Sequence, residues 1–523
     1  MSYTIIVLCI VALETLRKIC ISIYTAFFTP LSKVPGPLSL KLCGSIWLYH
    51  TLRGETMNIA LKLFKKYGDV VRIGPNEIMV SSKSAIQKII VEDDFKKSPL
   101  YTLTQEDQHV SNLFTETDTR VYKQKVCILI PAFPSLISSR IHSMEAKDIH
   151  QRRPLSAGFS ISFLNAMEPL MKSCVDFMIE VLELRCVTDI ESEDGRAVVD
   201  MFSMLGNLTM DVMSATLFGG SFGLVINEDP HVKNLFLDRL RRVYIDVILP
   251  FVKYTPFIPS PVQEMDRMID GIIRTRRAEM GRVRKGVDGE KAKEKKDLLQ
   301  IFLDANESDP KVFTDKHLME EMRLFMIAGS DTTGTTCTFT LLLLLNNPSK
   351  LQLLTQEILS AFPSKNDTIT FANTQDLPYL NAAINESMRL MPMVVSGLPR
   401  YTSETNWIDG FEIPAHVTTY AFPNILQVDP RIWPDADSYI PERWLDNYKG
   451  MPVDKKAFLP FSGGVRNCIG QQFALREIRL ILATVIRRFE LDLIPGQSHE
   501  LRVHAVPYFK EGKYLMGVRV RRE

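Results

Sequence analysis

FSGGVRNCIG, residues 461–470, sets one cysteine among three glycines, a phenylalanine and an arginine. Two readings are open. The stretch is a turn with an incidental buried thiol, or the backbone is kept slim so that something large can approach the sulfur. The local chemistry favours a reactive site. Cys468 stands just before a helix expected to start near Gln471, where the positive dipole end and unpaired N–H groups favour thiolate. Gly463, Gly464 and Gly470 allow sharp turns and close approach of a flat ligand. Phe461 can shield the sulfur from water, and Arg466 can neutralise a carboxylate at the ligand's rim.

The rest of the chain limits the classes of protein to consider. At 523 residues it exceeds the usual size of a single core. A net charge of +1 argues against a dedicated nucleic-acid binder. Its 46% hydrophobic content supports a large core. The eight cysteines are scattered, with no CxxC, so neither a disulfide framework nor a zinc site is expected.

At the N-terminus, apolar runs 4–13 and 19–28 are interrupted by Glu14, Arg17 and Lys18. Neither run alone reaches the ~20 residues of a spanning helix. Together they make a membrane anchor over 1–31 if the charges pair or snorkel, or else a peripheral amphipathic segment. Lys33 and Lys41 beyond it favour a cytosolic body. VPGP (34–37) then reads as a stiff spacer, and 67–82 as a β-hairpin turning at Gly74-Pro75-Asn76. Helical periodicity dominates afterwards, in 262–280 and 471–491 for example. The basic stretch 282–297 reads as a solvated linker.

Residues 318–348 are apolar nearly all round, marking a core helix. AGSDTT (328–333) interrupts it with weak helix formers, and a threonine hydroxyl there can compete for a backbone carbonyl. The segment is a close-packed crossing of small residues or a functional opening. In NESMRLMP (385–392), Glu386 and Arg389 share a helix face, and PERW (441–444) adds Arg443. A carboxylate between two guanidiniums is a scaffold device. A macrocycle with carboxylate arms and a metal that takes one axial thiolate satisfies each element of the Cys468 loop. That ligand is haem.

These four motifs, in this order, resemble the cytochrome P-450 family of haem-thiolate monooxygenases, in its membrane-bound fungal form, over residues 32–515. The resemblance implies a mainly α fold with small β-sheets, a triangular prism forming one catalytic domain over 32–523. It implies haem b held by Cys468, with Phe461, Gly470, Arg466 and Arg400 (in GLPRYTSE) around it and Arg400 and Arg466 on its propionates. Asp331 and Thr332 would relay protons to dioxygen, and Glu386, Arg389 and Arg443 would form the structural lock. A hydrophobic substrate would be lined by 99–118, 247–262, Val394 to Leu398 and 506–509.

Electrons would come from a separate NADPH-cytochrome reductase, drawn to Lys455, Lys456, Arg476, Arg479, Arg487 and Arg488 or else indifferent to an ordinary solvated face. The expected location is the endoplasmic reticulum membrane, and the substrate a secondary metabolite precursor. A haem-thiolate isomerase or dehydratase without external electrons is the alternative, and an inactive haem-binding product the third reading.

One segment departs from the family. Residues 126–151 separate SNLFTETDTRVYKQK from RRPLSAGFS, and Pro131 and Pro134 forbid a helix through them. Val126-Cys127 and Gln151 can be encoded by typical splice-site sequences, so these 26 codons read as a retained intron, or as a surface insertion. Without them Tyr122 falls four positions before Arg152 on one helix face, where the family's propionate pair belongs.

Overall fold

The computed structural model describes residues 2–105, 110–119, 121–122, 160–189, 196–227, 231–232, 235, 261–284, 297–311, 313–504 and 506–522. Segment 126–151, Arg152 and residues 247–260 lie outside them.

The N-terminal runs form one helix, α1 (Ser2–Phe28), rather than two. Glu14 and Arg17 pair on it, with Arg17 Nη2 2.6 Å from Glu14 Oε1. Among the described residues no helix is long and apolar enough to cross a membrane, so the expected transmembrane anchor is not met. Glu14, Arg17 and Lys18 fall mid-helix, where charge is most costly to a span. Nor is VPGP a free spacer. Val34 is buried and the Arg72 N–H donates to the Pro35 carbonyl at 2.7 Å. A Cβ on Gly36 would stand 2.4 Å from the Arg72 carbonyl oxygen, so only glycine permits this approach.

After α2 (Thr56–Tyr67) comes the expected hairpin of β1 (Val70–Gly74) and β2 (Glu77–Val80), antiparallel, with Gly74 opposite Glu77. It belongs to a five-stranded sheet with order β1-β2-β8-β5-β3. Its edge strand is the very short β3 (Lys96–Lys97).

The helical body follows: α3 (Ile161–Thr188), α4 (Met201–Phe218), α5 (Pro261–Arg284), α6 (Leu298–Ser308), α7 (Asp315–Leu345), α8 (Pro348–Ala361) and α9 (Pro378–Leu390). Between α3 and α4 runs β4 (Ala197–Asp200), and after α9 come β5 (Leu398–Tyr401), β6 (Asn406–Ile408), β7 (Phe411–Ile413) and β8 (Thr418–Ala421). The chain closes with α10 (Gln471–Arg488), β9 (Phe489–Leu493), the hairpin β10 (Leu501–His504) and β11 (Val506–Phe509), and β12 (Leu515–Val520). Helix α10 stops short of the expected 491. From Phe489 the chain pairs instead with β12, Phe489 opposite Val520.

Helix α7 organises the body. Thr314 caps it in a reciprocal box with His317. Its 31 residues extend on the order of 45 Å through the apolar core, packed along α4. The two helices come close because Gly334 has no side chain: a Cβ there would lie 2.9 Å from the Leu205 carbonyl oxygen.

Candidate active site

Glu386, Arg389 and Arg443 meet in the structure. Glu386 and Arg389 are fully buried and Arg443 nearly so. Arg389 forks onto the carboxylate, Nε to Oε2 at 2.9 Å and Nη2 to Oε1 at 2.8 Å. Arg443 Nε donates to Oε1 at 3.0 Å. The Ile440 N–H (3.0 Å) and Trp444 Nε1 (2.9 Å) complete the carboxylate's hydrogen bonds. Arg389 Nη1 also holds the carbonyls of Gln427 and Ala436 at 3.0 and 2.7 Å.

Sequence reasoning missed Trp444, although it follows Arg443 directly in PERW. It also missed Gln427. This buried amide donates to the Met388 carbonyl (3.0 Å) and accepts from the Leu459 N–H (2.9 Å), tying the lock to the strand of chain entering the cysteine loop.

In that loop the Cys468 N–H donates to the Phe461 carbonyl at 2.9 Å and closes the turn. Gly464 has φ of +66°, and a Cβ there would sit 2.3 Å from the Ile90 carbonyl oxygen. A Cβ on Gly463 would meet Val91 at 2.9 Å. These two glycines admit the close approach of the Ile90–Val91 chain. Gly470 stands at the cap of α10, and its N–H is directed at the Cys468 sulfur.

Cys468 is accessible yet enclosed by protein. Burial pushes its thiol up and outweighs the Gly470 N–H, so in the ligand-free chain it is a thiol. A metal would have to displace the proton.

Within the loop, Arg466 is buried. Nη1 donates to the Glu116 carbonyl at 2.8 Å, Nη2 reaches Thr119 Oγ1 at 3.0 Å, and its guanidinium lies 4.6 Å from the Tyr122 ring centre. Tyr122 is buried, its phenol pushed up to about 12 by burial. Arg400 is also buried, on β5, and donates through Nη1 to the neighbouring Pro399 carbonyl at 3.3 Å. The Nε atoms of Arg400 and Arg466 are both buried without a partner. Lys97, which the sequence did not single out, is the third cation of this group. Among the described residues its Nζ bonds only carbonyls, Phe114 at 2.7 Å and Leu113 at 3.4 Å. Period-2 alternation turns Lys97 inward and leaves Lys96 exposed, but nothing in FKKSP says which lysine is inside.

Midway along α7, burial breaks at Ala328, which is exposed; Gly329, Asp331 and Thr332 are half-buried. Thr332 Oγ1 donates to the Ala328 carbonyl at 2.9 Å, and Thr209 Oγ1 of α4 to the Ser330 carbonyl at 2.8 Å. The helix stays continuous through AGSDTT, with its carbonyls claimed by hydroxyls from two sides.

Phe509, expected at the cavity, is buried against Phe202, Phe339 and Tyr514. Of the six basic residues expected to face a reductase, Arg476 and Arg487 are buried, bonded to Asn165 and to the Phe362 carbonyl. Arg479 bonds Asn381 and Arg488 pairs with Glu183. Only Lys455 and Lys456 are exposed.

The body is mainly helical with small sheets, around one continuous central helix whose middle turn is partly exposed. The cytochrome P-450 family model matches residues 137–509, and the chain belongs to that family. It is similar to cytochrome P-450 monooxygenase acrD of Aspergillus aculeatus, 30% identical over 94% of this chain and 91% of the relative. The monooxygenase LUC2 of a Fusarium species is 30% identical over 94% and 89%. FUS8 of Gibberella moniliformis is 28% identical over the same shares. The chain is a P-450 monooxygenase and a haem enzyme.

Proposed function

We propose that Cys468 is the axial ligand of haem b and that the enzyme inserts one oxygen atom from O2 into a hydrophobic small molecule of secondary metabolism. An NADPH-dependent reductase would supply the electrons. The observation that carries this reading is an accessible but enclosed sulfur two residues after buried Arg466, whose Nε donor, like that of buried Arg400, has no partner. An iron porphyrin fits that donor set, one soft sulfur and cations for its two carboxylates. Bound haem supplies dioxygen activation, which an axial thiolate promotes.

The chain's own groups then do the rest. Arg400 and Arg466 hold the acidic edge. Thr332 rests its hydroxyl proton on the Ala328 carbonyl and keeps lone pairs for a proton from water. Re-aiming that proton costs one i−4 hydrogen bond, about 1 kcal/mol. Asp331, half-buried one residue earlier, can exchange protons with solvent. Exposed Leu13, Leu16, Ile19, Phe27 and Phe28 on α1, with Leu38 and Tyr49 after it, support membrane placement through a surface-lying helix.

Cys468→Ser should abolish the thiolate-type carbon monoxide difference band. A band that survives unchanged refutes the ligand assignment. The assay belongs in endoplasmic reticulum microsomes, where NADPH-linked oxygen uptake separates a monooxygenase from an isomerase. We further propose that 126–151 is absent from the mature enzyme, bringing Arg152 within a helical turn of Tyr122. A mature transcript that keeps these codons and yields active enzyme overturns this.

A further inference from the structure

Lys97 and Arg400 are direct cross-strand partners in the pairing of β3 with β5. Opposed like charges destabilise a sheet even at its surface. Here both are buried, Lys97 8% and Arg400 2% exposed, and both electrostatically oppose Arg466. Lys97 Nζ sits 5.1, 5.3 and 5.4 Å from the ring centres of Tyr101, Phe114 and Tyr122. Tyr122 thus lies under Lys97 and Arg466 together. The carboxylates in electrostatic reach are Asp94 and Glu116. Glu116 is already engaged with Ser111 and the Asp118 N–H. No ion pair to a carboxylate holds Lys97, Arg400 or Arg466 among the described residues. An anion between these cations would relieve their mutual repulsion.

We infer that Lys97 is a cofactor-gripping residue, taking one carboxylate arm of the porphyrin together with its strand partner Arg400. This rests on the haem reading above and goes beyond it. It names a residue outside the recognised motifs and couples cofactor binding to proton uptake at that residue. In the ligand-free chain, burial and the two guanidiniums lower the Lys97 ammonium to about 7. A carboxylate beside it raises that value again. Between pH 7 and 9 the lysine therefore gains a proton as haem binds, and its contribution to affinity falls as pH rises through that window. The groups facing Lys97 do not compete there. They are the guanidiniums of Arg400 and Arg466, the side chains of Asp94 and Glu116, and the phenols of Tyr101 and Tyr122, which burial raises. The Cys468 thiol releases its proton on ligation in parent and variant alike, so it cancels in their ratio.

The test is transfer of haem from the full-length holoenzyme to excess apomyoglobin, with equilibrium loading measured from pH 6.5 to 9. Lys97→Met should lose haem on the order of 10–100-fold faster, the effect of one charge-assisted bond. Lys97→Arg should stay near the parent. The parent-to-Met affinity ratio should shrink as pH rises above 7. The cofactor-free Met variant should unfold no earlier than the parent, since a desolvated cation is gone. Equal haem loss in parent and Met variant overturns the proposal, as does a pH-independent affinity ratio. Early unfolding of the cofactor-free variant would mean a structural lysine and also overturns it. A parent that binds no haem refutes the family-based reading instead.

Discussion

Glu477, nine residues after Cys468 on α10, is fully buried with neither carboxylate oxygen hydrogen-bonded to protein. Burial alone drives its carboxyl well above the ordinary range. The folded chain keeps this proton, while the unfolded chain gives it up above about pH 4.3. Raising the pH through that window therefore favours unfolding, at up to about 1.4 kcal/mol per pH unit. Glu477→Gln should flatten the parent's decline in denaturant midpoint between pH 5 and 7. Superimposed profiles would show that the carboxyl ionises freely.

Nothing in FALREIR marks this acid as buried, because a glutamate beside two arginines reads as a solvated face. Cys468 differed because its spacing from Phe461, Arg466 and Gly470 is local and all four lie in one turn. Lys97 and Arg400 were illegible as a pair: some 300 residues separate them, and only strand register brings them together.

At the level of elements, the lock was legible because Glu386 and Arg389 share one helical turn, and PERW carries the remaining arginine. Trp444 and Gln427 were not, since an indole and an amide announce no partner by spacing. The geometry ranks their substitutions. Glu386→Ala strands two buried guanidiniums and should cost about 3–5 kcal/mol. Arg443→Ala leaves the Arg389 fork intact and should cost less. Gln427→Leu should preserve the lock but free Leu459, broadening the Soret band of the loaded enzyme more than it lowers stability. Denaturant unfolding and haem content of the three variants check this order. A Glu386→Ala protein as stable and as fully loaded as the parent would refute the lock.

For the whole molecule, the basic residues around α10 show how sequence clustering misleads. A helix wedged between α7, α8 and α3 uses its arginines to cap carbonyls and hold neighbours, leaving Lys455 and Lys456 free. Reduction by a reductase should therefore depend only weakly on ionic strength, and Lys455→Glu with Lys456→Glu should slow it at low salt alone. A steep salt dependence that survives this double reversal would place the docking charges elsewhere.

The shortest strand has a consequence in the cell. β3 contributes two residues to the edge of its sheet, and the inward one repels its neighbour until an anion arrives. That edge is the place where a newly made chain without cofactor would fray first, opening backbone to proteases. Lifetime would then follow prosthetic-group supply, so that a starved cell discards the empty enzyme and keeps the filled one.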